Sequence, residues 1–257
     1  MPIHEAINDG IATLTMDNPP VNALNIGDTY RLAELLDSYK TREEVRVAIL
    51  TAEGRGFCAG VDIKEMQAMS GNEGIVKSNE SCYEVFRAVY ECAVPVIAAV
   101  NDFCLGTGIG LVGNSDVILA ASGVGFGLPE VDNGALGAAT HLCRLVPQHR
   151  ARQMLYTCEP AQAEELASYG SVWKVVPRDD LLTEAVALAT EIAAKQPAVI
   201  RAAKRSINGI DPVNVTRSYR FEQGFTFQLN LQGEGDAARD AFLRGDRKAN
   251  KAGKENK

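Results

Sequence analysis

Short apolar segments that end in glycine-rich loops limit most strongly what this chain can fold into. Val47–Leu50 leads into a loop with Gly54 and Gly56, and Val96–Val100 leads toward the glycines of residues 106–113. An unbroken apolar run of this length is typical of a strand buried on both faces of a parallel sheet. Glycine after such a strand lets the backbone turn sharply into the next element. The pattern predicts parallel strands whose ends are shaped by glycine.

Helical spacing of apolar residues separates these strands and then dominates the last third of the chain. The predicted strands are Ile11–Met16, Val47–Leu50, Val96–Val100, Val117–Ala121 and Val172–Val176. The predicted helices run from Ile26 to Tyr39, around Val85 to Tyr90, and over Ala161–Tyr169, Leu181–Lys195, Ala198–Ile207 and Val215–Leu231. Strands that alternate with helices predict an α/β fold with parallel pairing.

The change of character along the chain predicts three parts. Residues 1–195 form the α/β core, residues 196–246 form a helical region, and residues 247–257 form a Lys-rich tail almost free of apolar side chains. A tail of that composition is expected to be flexible. Because a helical extension on such a core often docks on a neighbouring subunit, we expect an oligomer.

The acidic charge balance argues against nucleic acid as a partner. The 257 residues include 26 Lys and Arg against 33 Asp and Glu, a net charge of −7, whereas phosphate backbones favour a basic face. No apolar run approaches the roughly 20 residues of a membrane helix. Residues 1–20 lack the basic and apolar parts of a secretory signal. We expect a cytoplasmic protein that binds neither nucleic acid nor membrane.

The six cysteines, at positions 58, 82, 92, 104, 143 and 158, form no C-x-x-C pair. Several stand in apolar segments, as Cys92 does before Ala93 and Val94. We predict small buried thiols in a reducing compartment, and neither a disulfide framework nor a metal site.

The glycines of residues 106–110 precede a helix at the end of a buried strand. The first N–H groups of a helix have no partner within it, and the helix dipole adds partial positive charge there. Gly60 lies at another strand-to-helix turn of this kind. We call the turn at Gly60 the first glycine corner and the turn at Gly106 the second. Two backbone N–H groups aimed at one carbonyl oxygen form an oxyanion hole. We therefore expect a site that binds an acyl carbonyl and stabilises the enolate formed from it.

The segment Gly108–Gly113 also matches G-x-G-x-x-G, the dinucleotide fingerprint. That fingerprint requires the strand to run directly into the first glycine. Here seven residues separate Val100 from Gly108, and the loop does not open the domain. The match therefore does not predict a nicotinamide or flavin site.

Four motifs carry a resemblance to a known family. They are N-P-P-V-N-A-L at residues 18–24, F-C-A-G-V-D-I-K at 57–64, P-V-I-A-A-V-N at 95–101 with its glycine turn, and F-G-L-P-E at 126–130. In this order, over about residues 10–245, they resemble the crotonase, or enoyl-CoA hydratase/isomerase, superfamily. The resemblance implies a spiral of ββα units with a C-terminal helical trimerisation region, assembled as a homotrimer or a dimer of trimers.

The same resemblance implies an acyl-CoA thioester substrate and no separate cofactor, because coenzyme A is part of the substrate. It places the oxyanion donors at the backbone N–H groups of Val61 and Thr107, and a catalytic carboxylate at Glu130.

For coenzyme A, the resemblance implicates the first glycine corner, at Ala59, Asp62 and Ile63, with Asn22 nearby. Asn22 is equally explained as a turn residue, and both readings stay open at this stage.

Gly110 is the main departure from the hydratase pattern. Hydratases of this family use two glutamates, and Gly110 stands where the first is expected. Loss of one acid/base group costs about 10²–10⁴ in rate. The sequence therefore disfavours simple hydration. One carboxylate beside an oxyanion hole still supports enoyl-CoA isomerisation, or water attack on a β-keto thioester with a thioester enolate as leaving group. Gly110 also keeps open a catalytically inactive acyl-CoA-binding protein.

One bacterial branch of the family is more similar still, through segments 60–67, 86–95, 108–116, 134–142 and 223–227. That branch hydrolytically opens a ring of a methyl-dioxo-indene-carboxyl-CoA in steroid degradation. The resemblance therefore favours C–C hydrolysis in cholesterol-type catabolism. Thr107 interrupts the all-glycine turn of that branch, and Asn101-Asp102 replaces its Asn-Gly. Neither change removes a backbone donor.

Two side chains are secondary candidates. Asp132 follows Glu130 by two residues and would face the same cavity if the segment is extended. His141 lies in a stretch of small residues that is a candidate for the pocket floor, although a lone histidine is more often a packed residue.

Overall fold

The computed structural model describes residues 3–245, which form two sheets and surrounding helices. The strands are β1 (Ile3–Asn8), β2 (Ile11–Met16), β3 (Val47–Ala52), β4 (Val96–Val100), β5 (Cys104–Leu105), β6 (Val117–Ala121), β7 (Gly125–Gly127), β8 (Ala161–Gln162) and β9 (Lys174–Val176). The larger sheet has the order β1-β2-β3-β4-β6-β9, and the smaller one has the order β5-β7-β8.

Eleven α-helices accompany the strands among the described residues. They are α1 (Ile26–Ser38), α2 (Ile63–Ala68), α3 (Glu73–Tyr90), α4 (Thr107–Asn114), α5 (Ala139–Leu142), α6 (Gln148–Thr157), α7 (Ala163–Ser168), α8 (Leu181–Ala193), α9 (Pro197–Ile210), α10 (Val215–Leu231) and α11 (Glu234–Leu243).

Parallel pairing in the core is confirmed for the larger sheet. Strand β2 pairs with β3, β3 with β4, β4 with β6 and β6 with β9, all in parallel, while β1 pairs antiparallel with β2. Every residue of β3 and β4 is buried. The side chains on one face pack in the main core with α1 and α3, and those on the other face pack against α8. This two-sided burial explains the unbroken apolar runs.

The sequence pattern missed β1 and the three short strands of the smaller sheet, and it shifted β9. Strand β1 is an edge strand with mostly exposed side chains, so its residues show no apolar run. The predicted strand Val172–Val176 begins at Lys174 in the structure, because residues 170–173 form a turn and bends.

The helices after residue 196 pack on their own chain along their inner faces. Helix α10 contacts α3 and α5, and α11 contacts α2. The expected docking on a neighbouring subunit therefore concerns the outer faces, and it stays a prediction. Exposed apolar side chains there are Val199, Ile207, Ile210, Phe221, Phe225 and Leu231. The tail predicted at residues 247–257 lies outside the described residues.

The six cysteines are free thiols, and burial was predicted correctly for four of them. Cys143 is exposed and Cys158 is half-buried, so the prediction was wrong there. Both lie at helix ends, where one side of the residue faces solvent. No helix within residues 3–245 is long and apolar enough to cross a membrane.

Candidate active site

Backbone hydrogen bonds join the two glycine corners. The N–H of Phe57 donates to the carbonyl of Phe103 at 2.9 Å, and the N–H of Leu105 donates to the carbonyl of Cys58 at 2.8 Å. A Cβ placed on Gly106 would lie 3.2 Å from the Cα of Gly60. Gly106 has φ 56° and ψ −114°, a conformation open only to glycine. The corners therefore touch, and glycine permits the contact.

Two backbone N–H groups remain unpaired at this contact. Leu24 pairs with the first corner through hydrogen bonds to the carbonyl of Gly60 and from the N–H of Asp62, each 2.9 Å long. Val61 lies between these two bonds, and because successive N–H groups of an extended segment point to opposite sides, its own N–H points away from Leu24. Thr107 is the first residue of α4. Neither N–H donates a hydrogen bond within the described residues. The expected pair of donors is thus brought together beside the cavity.

Glu130 lies against the same corners. Strand β7 pairs with β5, and the N–H of Gly106 donates to the carbonyl of Gly127 at 3.1 Å. This pairing carries the Pro129-Glu130 segment to the second corner, where a Cβ on Gly106 would lie 2.6 Å from Oε1 of Glu130. Oxygen Oε2 of Glu130 is buried without a hydrogen-bond partner in the part of the chain described. The carboxylate therefore lies within reach of a group bound at the two N–H groups.

Burial raises the pKa of Glu130 from its usual 4.5 to about 8. The carboxylate of Glu222, on α10, adds a smaller effect in the same direction. The ionised carboxylate can take a proton from water, and because its pKa is near 8 the resulting carboxylic acid can hold that proton near neutral pH until it passes to carbon. The arrangement suits proton transfer next to a developing enolate.

A cavity joins the donors to Glu130, and helices α3 and α10 complete its wall. Its lining consists of Val61, Met66, Ile75, Ser78, Asn79, Cys82, Phe86, Gly106, Thr107, Glu130, Ala135, Leu136, Gly137, Ala138, Tyr219 and Thr226. The sequence-based reasoning missed the side chains from α3 and α10. Their helical periodicity indicates a buried face but not what that face covers.

Phe86 occupies the space that a side chain at position 110 would need. A Cβ on Gly110 would lie 2.1 Å from Cζ of Phe86. Phe86 is 2% exposed and packs edge-on against His141 and Tyr219, with ring centroids 4.7 and 5.1 Å apart. A glutamate at position 110 therefore does not fit. Among the described residues that line the cavity, Glu130 supplies the carboxylate.

The side-chain amide of Asn22 forms hydrogen bonds within its own turn and with the loop after β3. Its amide Nδ2 donates to the carbonyls of Glu53 and Gly56, both at 2.8 Å, and its Oδ1 accepts from the N–H of Asn18 at 2.7 Å. It is 2% exposed, with φ 54°. The interpretation as a turn residue is correct, and both N–H groups of the amide are already used, whereas the contact with coenzyme A stays a prediction.

The other candidates for coenzyme A binding lie where α2 begins. The carboxylate of Asp62 caps this helix by accepting from the N–H groups of Lys64 and Glu65 at 2.9 and 3.2 Å. Ala59 and Ile63 are half-buried beside it. Their backbone remains available to a ligand, and the assignment stays a prediction.

The expectation that Asp132 faces the cavity is wrong. Glu130 is followed by a 3₁₀ turn, Val131–Asn133, instead of extended backbone. Asp132 is exposed on that turn and interacts with the Cys158 thiol. In an extended chain, residues two apart share a face, but a 3₁₀ turn points them in different directions.

His141 is a packed residue and does not reach the cavity. It is fully buried behind Phe86 and Tyr219, and its Nδ1 lies 3.0 Å from Nδ2 of Asn114. Burial and the charge of Arg144 lower its pKa to about 3, so the ring is neutral. The candidate role as pocket floor is therefore wrong, because its neighbours Phe86 and Ala138 form that wall.

No group of three or more His, Cys, Asp or Glu side chains among residues 3–245 is placed to hold a metal ion. The glycines of the G-x-G-x-x-G match serve packing. A Cβ on Gly108 would lie 2.9 Å from Sγ of Cys104, and one on Gly113 would lie 2.6 Å from the carbonyl oxygen of His141.

The family is shown by comparison with known proteins. Residues 6–234 match the family described as enoyl-CoA hydratase/isomerase. A solved enoyl-CoA hydratase/isomerase from Xanthobacter autotrophicus shares the fold with a TM-score of 0.87 at 23% identity, over 97% of this chain and 98% of that one. The chain belongs to the enoyl-CoA hydratase/isomerase family, and the predicted fold class is confirmed.

Two curated relatives are much more similar in sequence. A protein from Rhodococcus jostii is 56% identical over 91% of this chain and 91% of its own. One from Mycobacterium tuberculosis is 55% identical over 91% of this chain and 95% of its own. Both are named (7aS)-7a-methyl-1,5-dioxo-2,3,5,6,7,7a-hexahydro-1H-indene-carboxyl-CoA hydrolase. The branch inferred from the sequence motifs is the branch these relatives represent.

The fit of Phe86 against Gly110 predicts how an added methyl group changes stability. We expect Gly110→Ala to lower the free energy of unfolding by about 1–3 kcal/mol, because overpacking displaces the ring. In α10, Gly224 has no atom within 4 Å of an added Cβ. The control Gly224→Ala should therefore gain roughly 0.5–1 kcal/mol of helix propensity. Chemical denaturation measures both.

A double-mutant cycle isolates the contact itself. In a Phe86→Ala background, Gly110→Ala should become neutral or stabilising, since the ring it meets is gone. An equal loss of stability in both backgrounds would show that Phe86 does not fill this space.

Proposed function

We propose that this protein is a C–C hydrolase that opens one ring of a bicyclic β-keto acyl-CoA thioester in steroid catabolism of the cholesterol type. The observation that carries the proposal is a pair of unpaired backbone N–H groups, at Val61 and Thr107, beside one carboxylate, Glu130, where a second carboxylate at position 110 has no room. The names of the two relatives support the substrate, which contains two ring ketones and a CoA thioester.

In the proposed reaction, Glu130 removes a proton from water while the water oxygen attacks a ring ketone. The bond between that carbonyl carbon and the adjacent ring carbon breaks, and its electron pair passes to the thioester as an enolate. The N–H groups of Val61 and Thr107 hold the enolate oxygen. The enolate carbon then takes the proton back from Glu130. One water is consumed, and a carboxylic acid and a C–H bond form.

Enoyl-CoA isomerisation is the second candidate, because one carboxylate beside the oxyanion hole is enough to move a proton between carbons. Hydration is disfavoured, because the ring of Phe86 fills the space that a second carboxylate at position 110 would need. The third candidate is a protein that only binds acyl-CoA. Binding alone needs no buried, unpaired carboxyl group with a raised pKa, so Glu130 argues against this candidate.

We also propose assembly as a homotrimer or dimer of trimers. The exposed apolar side chains on the outer faces of α9 and α10 support it, since large apolar side chains at a surface mark interfaces when they cluster. Coenzyme A enters as part of the substrate, and no further cofactor is proposed.

The role of Glu130 predicts a pH dependence. The base must be ionised, so kcat/KM for the dioxo-indene thioester should rise with pH and reach half its maximum near pH 8, the raised pKa of Glu130. Glu130→Gln should lower kcat by about 10²–10⁴ while the thioester still binds in calorimetry. Unchanged kcat in Glu130→Gln would overturn this role.

The backbone donor at Thr107 is testable because proline is accepted at the first position of a helix. Thr107→Pro removes the N–H and should lower kcat by about 10²–10³, as loss of one oxyanion donor does elsewhere. Thr107→Ala keeps the N–H and should retain kcat within a few-fold. A folded Thr107→Pro protein, judged by circular dichroism, with the kcat of Thr107→Ala would contradict the assignment.

A further inference from the structure

Asn79 places an amide on the face of α3 that lines the cavity, among mostly small or apolar side chains. It lies on α3, and the residues of that helix that line the cavity are Ile75, Ser78, Asn79, Cys82 and Phe86. Asn79 is 8% exposed, and its Nδ2 is buried without a hydrogen-bond partner in the described part of the chain.

The rest of this residue is firmly held. The side chain of Gln223, on α10, donates to the backbone carbonyl of Asn79 at 2.6 Å. Other buried amides use their nitrogen within the fold, as Asn101 does with the carbonyl of Ala52 at 2.8 Å. The Nδ2 of Asn79, in contrast, has no hydrogen-bond partner among the described residues. Since buried polar groups are nearly always paired in native proteins, an unpaired amide on a cavity wall indicates a group that pairs with a ligand.

The position along α3 indicates which part of a ligand it meets. Cys82 lies next to the oxyanion hole, with its Sγ 3.8 Å from Oγ1 of Thr107. Asn79 is three residues earlier, which is about 4.5 Å along the helix axis. An acyl group that extends from the two N–H groups along α3 would therefore meet the amide of Asn79 about one helical turn from Cys82.

We propose that Asn79 donates a hydrogen bond to the ring ketone of the substrate that is not attacked by water, and so selects oxygenated acyl groups. The inference rests on the proposed function, in which one of two ring ketones undergoes cleavage and the other survives. A ketone oxygen only accepts hydrogen bonds, so the NH₂ of the amide is the group that pairs with it.

The same amide selects against hydrocarbon acyl chains. A fatty enoyl-CoA has no hydrogen-bond acceptor in its acyl group beyond the thioester. When it binds, the N–H groups of Asn79 would be enclosed by apolar atoms and left without a partner. Sites that hydrogen-bond a polar substrate group discriminate strongly against analogues that lack it, because the protein group is then left unpaired. Asn79 is thus a specificity-determining residue, distinct from the reacting groups.

Asn79→Leu tests the proposal most directly, because leucine keeps the side-chain size and removes the donor, whereas Asn79→Asp removes it only where the new carboxyl group is ionised. With the dioxo-indene thioester, Asn79→Leu should raise KM by about 10- to 100-fold with kcat nearly unchanged, as expected for loss of a contact made equally in ground and transition states. With an analogue whose surviving ketone is a methylene, Asn79→Leu should match the wild type. Thermal unfolding of Asn79→Leu should occur at the same or a higher temperature, because an unsatisfied donor is removed.

Binding to the Glu130→Gln variant separates this proposal from the reaction. Calorimetry should give a Kd for the dioxo-indene thioester that rises about 10- to 100-fold when Asn79→Leu is added. If the wild type does not hydrolyse the thioester but binding depends on Asn79, the reaction is wrong and the recognition stands. If the wild type hydrolyses it and both Asn79 variants keep its KM and Kd, the recognition is wrong and the reaction stands. A clear loss of stability in both variants, without a change in KM, would assign Asn79 a structural role and overturn the proposal.

Discussion

The backbone contact between the two glycine corners is the constraint on which the rest of the site depends. Hydrogen bonds from Phe57 to Phe103 and from Leu105 to Cys58 bring Gly60 and Gly106 to van der Waals distance. A Cβ on Gly106 would meet both Gly60 and the Glu130 carboxylate. The close approach of these glycines therefore sets the distances between the N–H groups of Val61 and Thr107 and the carboxylate of Glu130. A substrate carbonyl at the two N–H groups would be bound without a charged side chain.

Phe86 then determines which chemistry this arrangement can support. The ring lies where a side chain at position 110 would point, so the cavity wall is aromatic at this position. A buried carboxylate with a raised pKa can shuttle one proton, but hydration of a double bond in this family uses two carboxylates. The same packing places Tyr219 beside Phe86 in the wall and the neutral His141 behind both rings. The packed core around Phe86 thus takes the place of a second carboxylate, and a carboxylate at position 110 would require this core to repack.

Five of the six strands of the larger sheet, the glycine corners and Glu130 were predictable from sequence, because apolar runs, glycine positions and short motifs are local signals. The cavity wall was not. The residues of α3 and α10 show helical periodicity, but whether Asn79 or Thr226 faces a cavity depends on how the helices pack. Asp132 was misplaced because a 3₁₀ turn follows Glu130, and His141 because burial is invisible in a stretch of small residues. The role of Asn22 was undecided until its three hydrogen bonds were seen.

The most direct measurement is product mass spectrometry in H₂¹⁸O with three thioesters: the methyl-dioxo-indene-carboxyl-CoA, crotonyl-CoA and a 3-enoyl-CoA. The bicyclic thioester should gain one water, with ¹⁸O in a new carboxyl group and one ring opened, while the two enoyl thioesters should change little. Faster hydration of crotonyl-CoA, or faster movement of the double bond in the 3-enoyl-CoA, would contradict the assignment of this site to C–C hydrolysis.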